Sequence, residues 1–242
     1  MYFNKLLKLC LFAVILPICS AHAEIIIHGT RAIYPSNAKE ITIQLSNDGT
    51  KPSLVQAWID DGDANTTPDQ SQAPFIISPP IFRVEPQRGQ ALRITALPKT
   101  SALNQNQESI FWLNVLDIPP KPKEQENSGV PENYLQLAIR SRIKLFYRPS
   151  SLKEDVALAP SKLQWTRSGS SLNVKNPTPY FVTITAIYSA QDNKTVDILD
   201  HGAMLKPFST EKLAISATPI GKLTFNTLND YGGVISTELK LN

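Results

Sequence analysis

The side chains able to do covalent or metal chemistry are few. The chain holds two cysteines, Cys10 and Cys19, and three histidines, His22, His28 and His201. Both cysteines fall within the first twenty residues, so beyond them there is no thiol nucleophile and no Cys-based zinc site. Neither His28 nor His201 comes with a G-x-S-x-G or any other nucleophile context. Asp60-Asp61-Gly62-Asp63 groups three carboxylates, but it lacks the D-x-D-x-D-G order and the distal glutamate of a calcium loop. It reads as an acidic surface turn. No glycine loop of the phosphate-cradling kind is present. The expectation is a protein that is not an enzyme and uses no metal or cofactor. The chemistry left is non-covalent, and it centres on Leu135 to Pro149, LQLAIRSRIKLFYRP. Leu135, Leu137, Ile139, Ile143, Leu145 and Tyr147 share one parity. Gln136, Ala138, Arg140, Arg142, Lys144 and Phe146 share the other. A period of two predicts an extended strand. This one is long against the ~5–6 residues of a typical strand. It is expected both to close one domain and to serve a partner.

Such a strand needs a sheet around it, and the rest of the chain supplies one. Runs of alternating or β-branched residues recur between turn residues: 25–27, 30–34, 40–45, 54–59, 75–78, 81–84, 91–96 and 109–116. Trp58 is expected in the core. Pro119 to Tyr134 is polar and proline-rich and reads as a mobile loop. After Pro149 a second series follows at 164–167, 171–175, 181–189, 209–214, 223–228 and 234–241. This spacing, with no helical period, predicts an all-β protein of sandwich type.

The first 23 residues are set apart. Lys5 and Lys8 precede an apolar run, Leu9 to Ile18, and Ala21-His22-Ala23 offers small residues for cleavage. This is the pattern of a secretory signal peptide, expected to be cut after Ala23. The run is too short to span a membrane, and bulky Ile18 argues against a lipid-anchored Cys19. The remainder is long enough for two sandwiches of about 100 residues each. Domains are expected at 24–148 and 149–242, with the boundary near Tyr147–Leu152. The formal charge of +3 owes two units to the leader, so nothing electrostatic points to nucleic acid.

Several segments together carry a family resemblance. They are Thr30 to Tyr34 (TRAIY), Leu103 to Pro119 (LNQNQESIFWLNVLDIP), Arg142 to Pro149 (RIKLFYRP), Asn176 to Tyr180 (NPTPY) and Asn229 to Gly233 (NDYGG). In this order they resemble the periplasmic chaperones of the chaperone–usher pilus pathway. The resemblance spans nearly the whole chain after the leader. It implies two immunoglobulin-like domains set as an L, with a cleft between them that receives a pilus subunit. It also implies an outer-membrane usher as second partner and the periplasm as location. Such subunits are sandwiches that lack a strand, and the chaperone lends its own.

By that resemblance, Leu135, Leu137 and Ile139 are the donated apolar side chains. Arg31 and Lys144 are the pair that anchors the subunit's C-terminal carboxylate. Glu108, Arg148 and Asp230 form a buried charged trio tying the domains together. The loop before the long strand and the lack of later cysteines favour the short-loop subfamily. Read without the resemblance, the three apolar residues are ordinary core, and Arg31 and Lys144 are ordinary solvated charges. Two other classes stay in view: a secreted two-domain adhesin or structural protein, which would tend to carry disulfides, and a secreted hydrolase on a β-sandwich.

Overall fold

A computed structural model describes residues 25–121, 136–169, 171–191, 194–219 and 221–241. Its strands are β1 (Ile25–Ile27), β2 (Arg31–Pro35), β3 (Ile41–Asn47), β4 (Ser53–Asp60), β5 (Phe75–Ser78), β6 (Ile81–Val84), β7 (Gly89–Ala96), β8 (Ser109–Ile118) and β9 (Ile139–Arg148). A second series follows: β10 (Gln164–Ser168), β11 (Ser171–Lys175), β12 (Val182–Gln191), β13 (Lys194–Asp197), β14 (Ala203–Leu205), β15 (Thr210–Ala214), β16 (Leu223–Leu228) and β17 (Val234–Leu239). The only helical pieces among the described residues are short 3-10 turns at Pro98–Ala102, Val156–Leu158 and Pro160–Lys162. The protein is all-β, as the alternation predicts.

The first nine strands make two sheets, ordered β1-β3-β7-β5 and β2-β9-β8-β4-β6. Between them sits one core in which Leu45, Leu92 and Ile94 of one sheet meet Val55, Leu113 and Leu145 of the other. The last eight strands make sheets β10-β11-β15 and β13-β12-β16-β17, with β14 on β12. Their core is built on Trp165, Leu172, Ile184, Ile187 and Phe225. Two closed cores with no shared sheet are a pair of sandwiches.

The opening segment serves both sheets of the first sandwich. Ile25–Ile27 pairs antiparallel with β3. The chain then turns at Gly29, whose φ of +129° suits a residue without Cβ. Arg31–Pro35 continues on the other sheet, parallel to the end of β9. This crossover puts the first cation of interest beside the last strand of the domain.

Three expectations need correction. The long strand begins at Ile139, not Leu135. Its neighbour β8 ends at Ile118, and Pro119-Pro120 cannot extend the ladder. Gln136 to Ala138 lie outside any strand, with the Gln136 amide donating to the Pro119 carbonyl at 2.6 Å. Trp58 is buried but not in the core. It lies on the outer face of its sheet, and its indole N–H donates to the Thr66 carbonyl at 3.0 Å. Asp60 is no surface turn residue. It ends β4 and is 1% exposed. The short strands β13 and β14 were not legible as strands. Leu135, and the loop expected from Pro119 to Tyr134 beyond residue 121, lie outside the described residues.

Candidate strand-docking site

Strand β9 is paired along its whole length on one side, where Asp117 to Ser109 of β8 face Ile139 to Tyr147. On the other side β2 covers only its second half, from Lys144 to Arg148. Along Ile139 to Ile143 that outer edge has no strand beside it among the described residues. Its outward main-chain groups are thus available to an added strand. Leu137 and Ile139 have the parity of the core residues Leu145 and Tyr147, yet they are 61% and 55% exposed. Large apolar side chains left in water beside an open edge are the material of β-strand addition.

The open stretch ends at two cations. Arg31 and Lys144 are register partners at the start of the β2–β9 pairing. The Lys144 ammonium lies 5.8 Å from the Trp112 ring and makes no ion pair or hydrogen bond among the described residues. Burial pulls its pKa below the ordinary lysine value, and the like charge of Arg31 adds to this. Arg31 donates one long bond, 3.5 Å, to the Leu228 carbonyl, while its Nε is buried without a partner. Burial lowers its pKa too, against the pull of Asp230 and Glu108. Two half-buried cations with unused donors make a receptacle for an anion. Beside Arg31 lies a cavity of about 220 Å³ between the sandwiches, lined by Phe146, Phe181, Leu228 and Ile235.

Glu108, Arg148 and Asp230 come together at the joint. Arg148 Nε donates to Glu108 at 2.6 Å, and its two terminal nitrogens donate to the two Asp230 oxygens at 2.7 and 2.8 Å. Glu108 also accepts from the Phe181 N–H at 2.9 Å, and its own N–H donates to the Pro179 carbonyl at 2.9 Å. Arg148 thus holds one carboxylate from each sandwich. The trio is less buried than expected. Only Glu108 is enclosed, at 2% exposure, while the side chains of Arg148 and Asp230 keep 19% and 29%. Burial disfavours the charged form of both Glu108 and Arg148. For Arg148 the bonds to Asp230 and Glu108 outweigh burial, and its pKa rises. For Glu108 burial prevails over Arg148 and the Phe181 N–H, and its pKa is pushed up.

A second ion network was not anticipated. Arg142 donates from Nε and Nη2 to the Asp60 carboxylate and from Nη2 to the Gly62 carbonyl. Its guanidinium stacks 4.2 Å above the Trp112 ring. Asn114, fully buried, donates to the same carboxylate at 2.6 Å. Burial alone would raise the Asp60 pKa, but the Arg142 and Asn114 bonds hold it below the usual carboxylate range. The signal was in the alternation: Trp58 and Asp60 share a parity opposite to Val55, Ala57 and Ile59.

An open strand edge, apolar side chains standing out along it and two cations at its closed end define a strand-lending protein on a two-sandwich frame. The chain belongs to the pilus-assembly chaperones. Residues 24–153 match the family described as "Pili and flagellar-assembly chaperone, PapD N-terminal domain", and residues 158–239 match "Pili assembly chaperone PapD, C-terminal domain". The chain is 46% identical over 227 residues to Chaperone protein MrkB of Klebsiella pneumoniae, covering 91% of this chain and 93% of that one. The crystal structure of the Pseudomonas aeruginosa CupB2 chaperone superposes with a TM-score of 0.75 at 35% identity, over 90% of this chain and all of that one. The SafB chaperone of Salmonella enterica, solved in complex with the SafA pilin, gives a TM-score of 0.74 at 25% identity over 91% and 99%. Among the described residues no helix is long and apolar enough to cross a membrane.

Proposed function

We propose that this chaperone holds pilus subunits by lending them the Ile139–Ile143 edge of β9. The subunit's C-terminal carboxylate is held between Arg31 and Lys144. The observation that carries this reading is the change at Lys144: upstream the edge of β9 has no strand beside it among the described residues, and from Lys144 onward β2 fills it. A strand ending there would be collinear with β2 and so parallel to β9. Its main chain would complete the ladder, and Leu137 and Ile139, with Leu135 before them, would enter the groove left by the subunit's missing strand. The carboxylate would supply the anion that two half-buried cations lack, and its fixed position would set the register. The ion pairs of Arg148 would hold the two sandwiches at the angle that forms the cleft.

The fuller reading is of a protein exported by a leader cut after Ala23, working in the periplasm and passing subunits to an outer-membrane usher. An adhesin or structural role is not favoured, since the likeness to chaperones runs through both domains. The test is co-expression with a pilus subunit from the same source. Recovery of a one-to-one complex is expected. Lys144→Ala should lower subunit affinity by about ten- to a hundred-fold, the loss of a charge-assisted bond, with the chaperone still folded by circular dichroism. Undiminished subunit capture by folded Lys144→Ala would overturn the anchoring role.

A further inference from the structure

We infer that Arg140 selects among incoming strands by pairing with a carboxylate side chain on the strand's outward face. The inference rests on the strand-lending reading above and adds a sequence requirement to it. Arg140, Arg142 and Lys144 share one face of β9, opposite to Ile139, Ile143 and Leu145. With Arg31 they form a row of four cations leading along the open edge to the anchor. Among the described residues the row has one ion-paired carboxylate, Asp60, and Arg142 engages it with both a terminal nitrogen and Nε.

Arg140 is left over. It is exposed, lies 5.9 Å from the Trp58 ring, and has no ion pair or hydrogen bond among the described residues. Among the described residues, the acids closest to this face do not serve it. Asp117 points to the other side, where it accepts from the Ser53 hydroxyl at 2.6 Å. Asp61, Asp63 and Asp69 form no ion pair with it. The Trp58 platform is itself fixed by its bond to Thr66. Among the described residues Arg140 is therefore a cation without a counter-charge, beside an edge open to a strand.

A strand added there lies about 4.8 Å away. Its residue opposite Arg140 presents a side chain on the same face, with Cβ atoms about 5 Å apart. Opposite charges at such positions attract and like charges repel. If the carboxyl terminus sits at Lys144, its last residue is opposite Arg142 or Ile143. The residue opposite Arg140 is then the third or fourth from the end. The preferred partner carries Asp or Glu at that place and the disfavoured one Lys or Arg. A cation there would also extend the row of like charges, so the site discriminates by repulsion as well as attraction.

The probes are synthetic peptides with alternating apolar residues and a free carboxyl terminus, carrying Glu or Lys at the third or fourth residue from the end. Each also exists as a C-terminal amide. Binding to the full chaperone is titrated by calorimetry. At one of the two positions Glu should bind about five-fold more tightly than Lys, Arg140→Glu should invert the order, and high salt should flatten it. Amidation should weaken every peptide. Discrimination absent at both positions, or indifferent to Arg140→Glu, would overturn this inference while the amide effect keeps the anchor intact. Indifference to amidation would instead remove the anchor reading on which it rests. Arg140 is exposed, so Arg140→Gln, expected to abolish the preference without reversing it, keeps the test free of folding defects.

Discussion

Lys144 and Arg31 show how a residue can be costly to the fold that carries it. Each is half-buried, each has its pKa lowered by burial, and neither has a carboxylate of its own across the described residues. Lys144→Met keeps an unbranched side chain opposite Trp112 and removes the charge. Its melting temperature should equal or exceed that of the parent while subunit affinity falls about ten- to a hundred-fold, which thermal denaturation and binding titration measure side by side. Asp60 behaves in the opposite way. Its folded pKa lies below the usual 3.8, so its stabilisation is full above that value and is lost as pH falls through the folded pKa. The difference in melting temperature between the parent and Asp60→Asn should be constant near neutrality and shrink below about pH 4. From the sequence Asp60 was assigned to a turn by its acidic neighbours. Its burial depends on Asn114 and Arg142, which arrive from two other strands, and no local pattern announces them.

At the scale of the element, β9 was the most legible part of the chain, because a period of two leaves little else for it to be. Which of its sides met water was not legible from the period. Leu137 and Ile139 have core parity, yet the facing sheet does not reach them. Ile143, four residues on, already packs against the core. Only the resemblance placed the first pair outside. Leu137→Asp and Ile139→Asp should therefore leave the melting temperature within about 1 °C, since exposed positions contribute little to stability, while subunit capture falls at least ten-fold. A drop of several degrees in either variant would return that residue to the core. The missed strands β13 and β14 are short, and among the described residues β14 pairs with β12 alone. Three or four residues carry too little alternation to be read alone.

For the whole molecule, two sandwiches were legible from the two series of turn-bounded runs, and the charges of the joint only through the family resemblance. It is made by side chains from distant places: Arg148 at the end of β9, Glu108 before β8 and Asp230 after β16. Phe146 and Phe181 add an aromatic contact at 5.5 Å across it. Gly232, with φ of +82°, lies against Thr30 so closely that a Cβ would sit 2.4 Å from the threonine hydroxyl. Arg148→Ala strands Glu108 without its partner and should cost about 3 kcal/mol in urea unfolding, the low end for a broken buried pair because Arg148 keeps some solvent. The same variant should broaden the interdomain angle seen by small-angle scattering. An unchanged scattering profile would show that the backbone bonds of Glu108 suffice to hold the joint.

The parallel pairing of β2 with β9 also sets an order in time. Ribosomes make Arg31 early and Lys144 more than a hundred residues later, and the two meet only when the last strand of the first sandwich has docked beside the second. Closing so long a loop is slow compared with local pairing. If Arg31 and Lys144 hold the subunit's carboxylate as proposed, a half-folded chaperone lacks that grip, because the pairing that brings the two cations together also completes the domain. On that proposal, capture of cargo would certify the captor's own maturity.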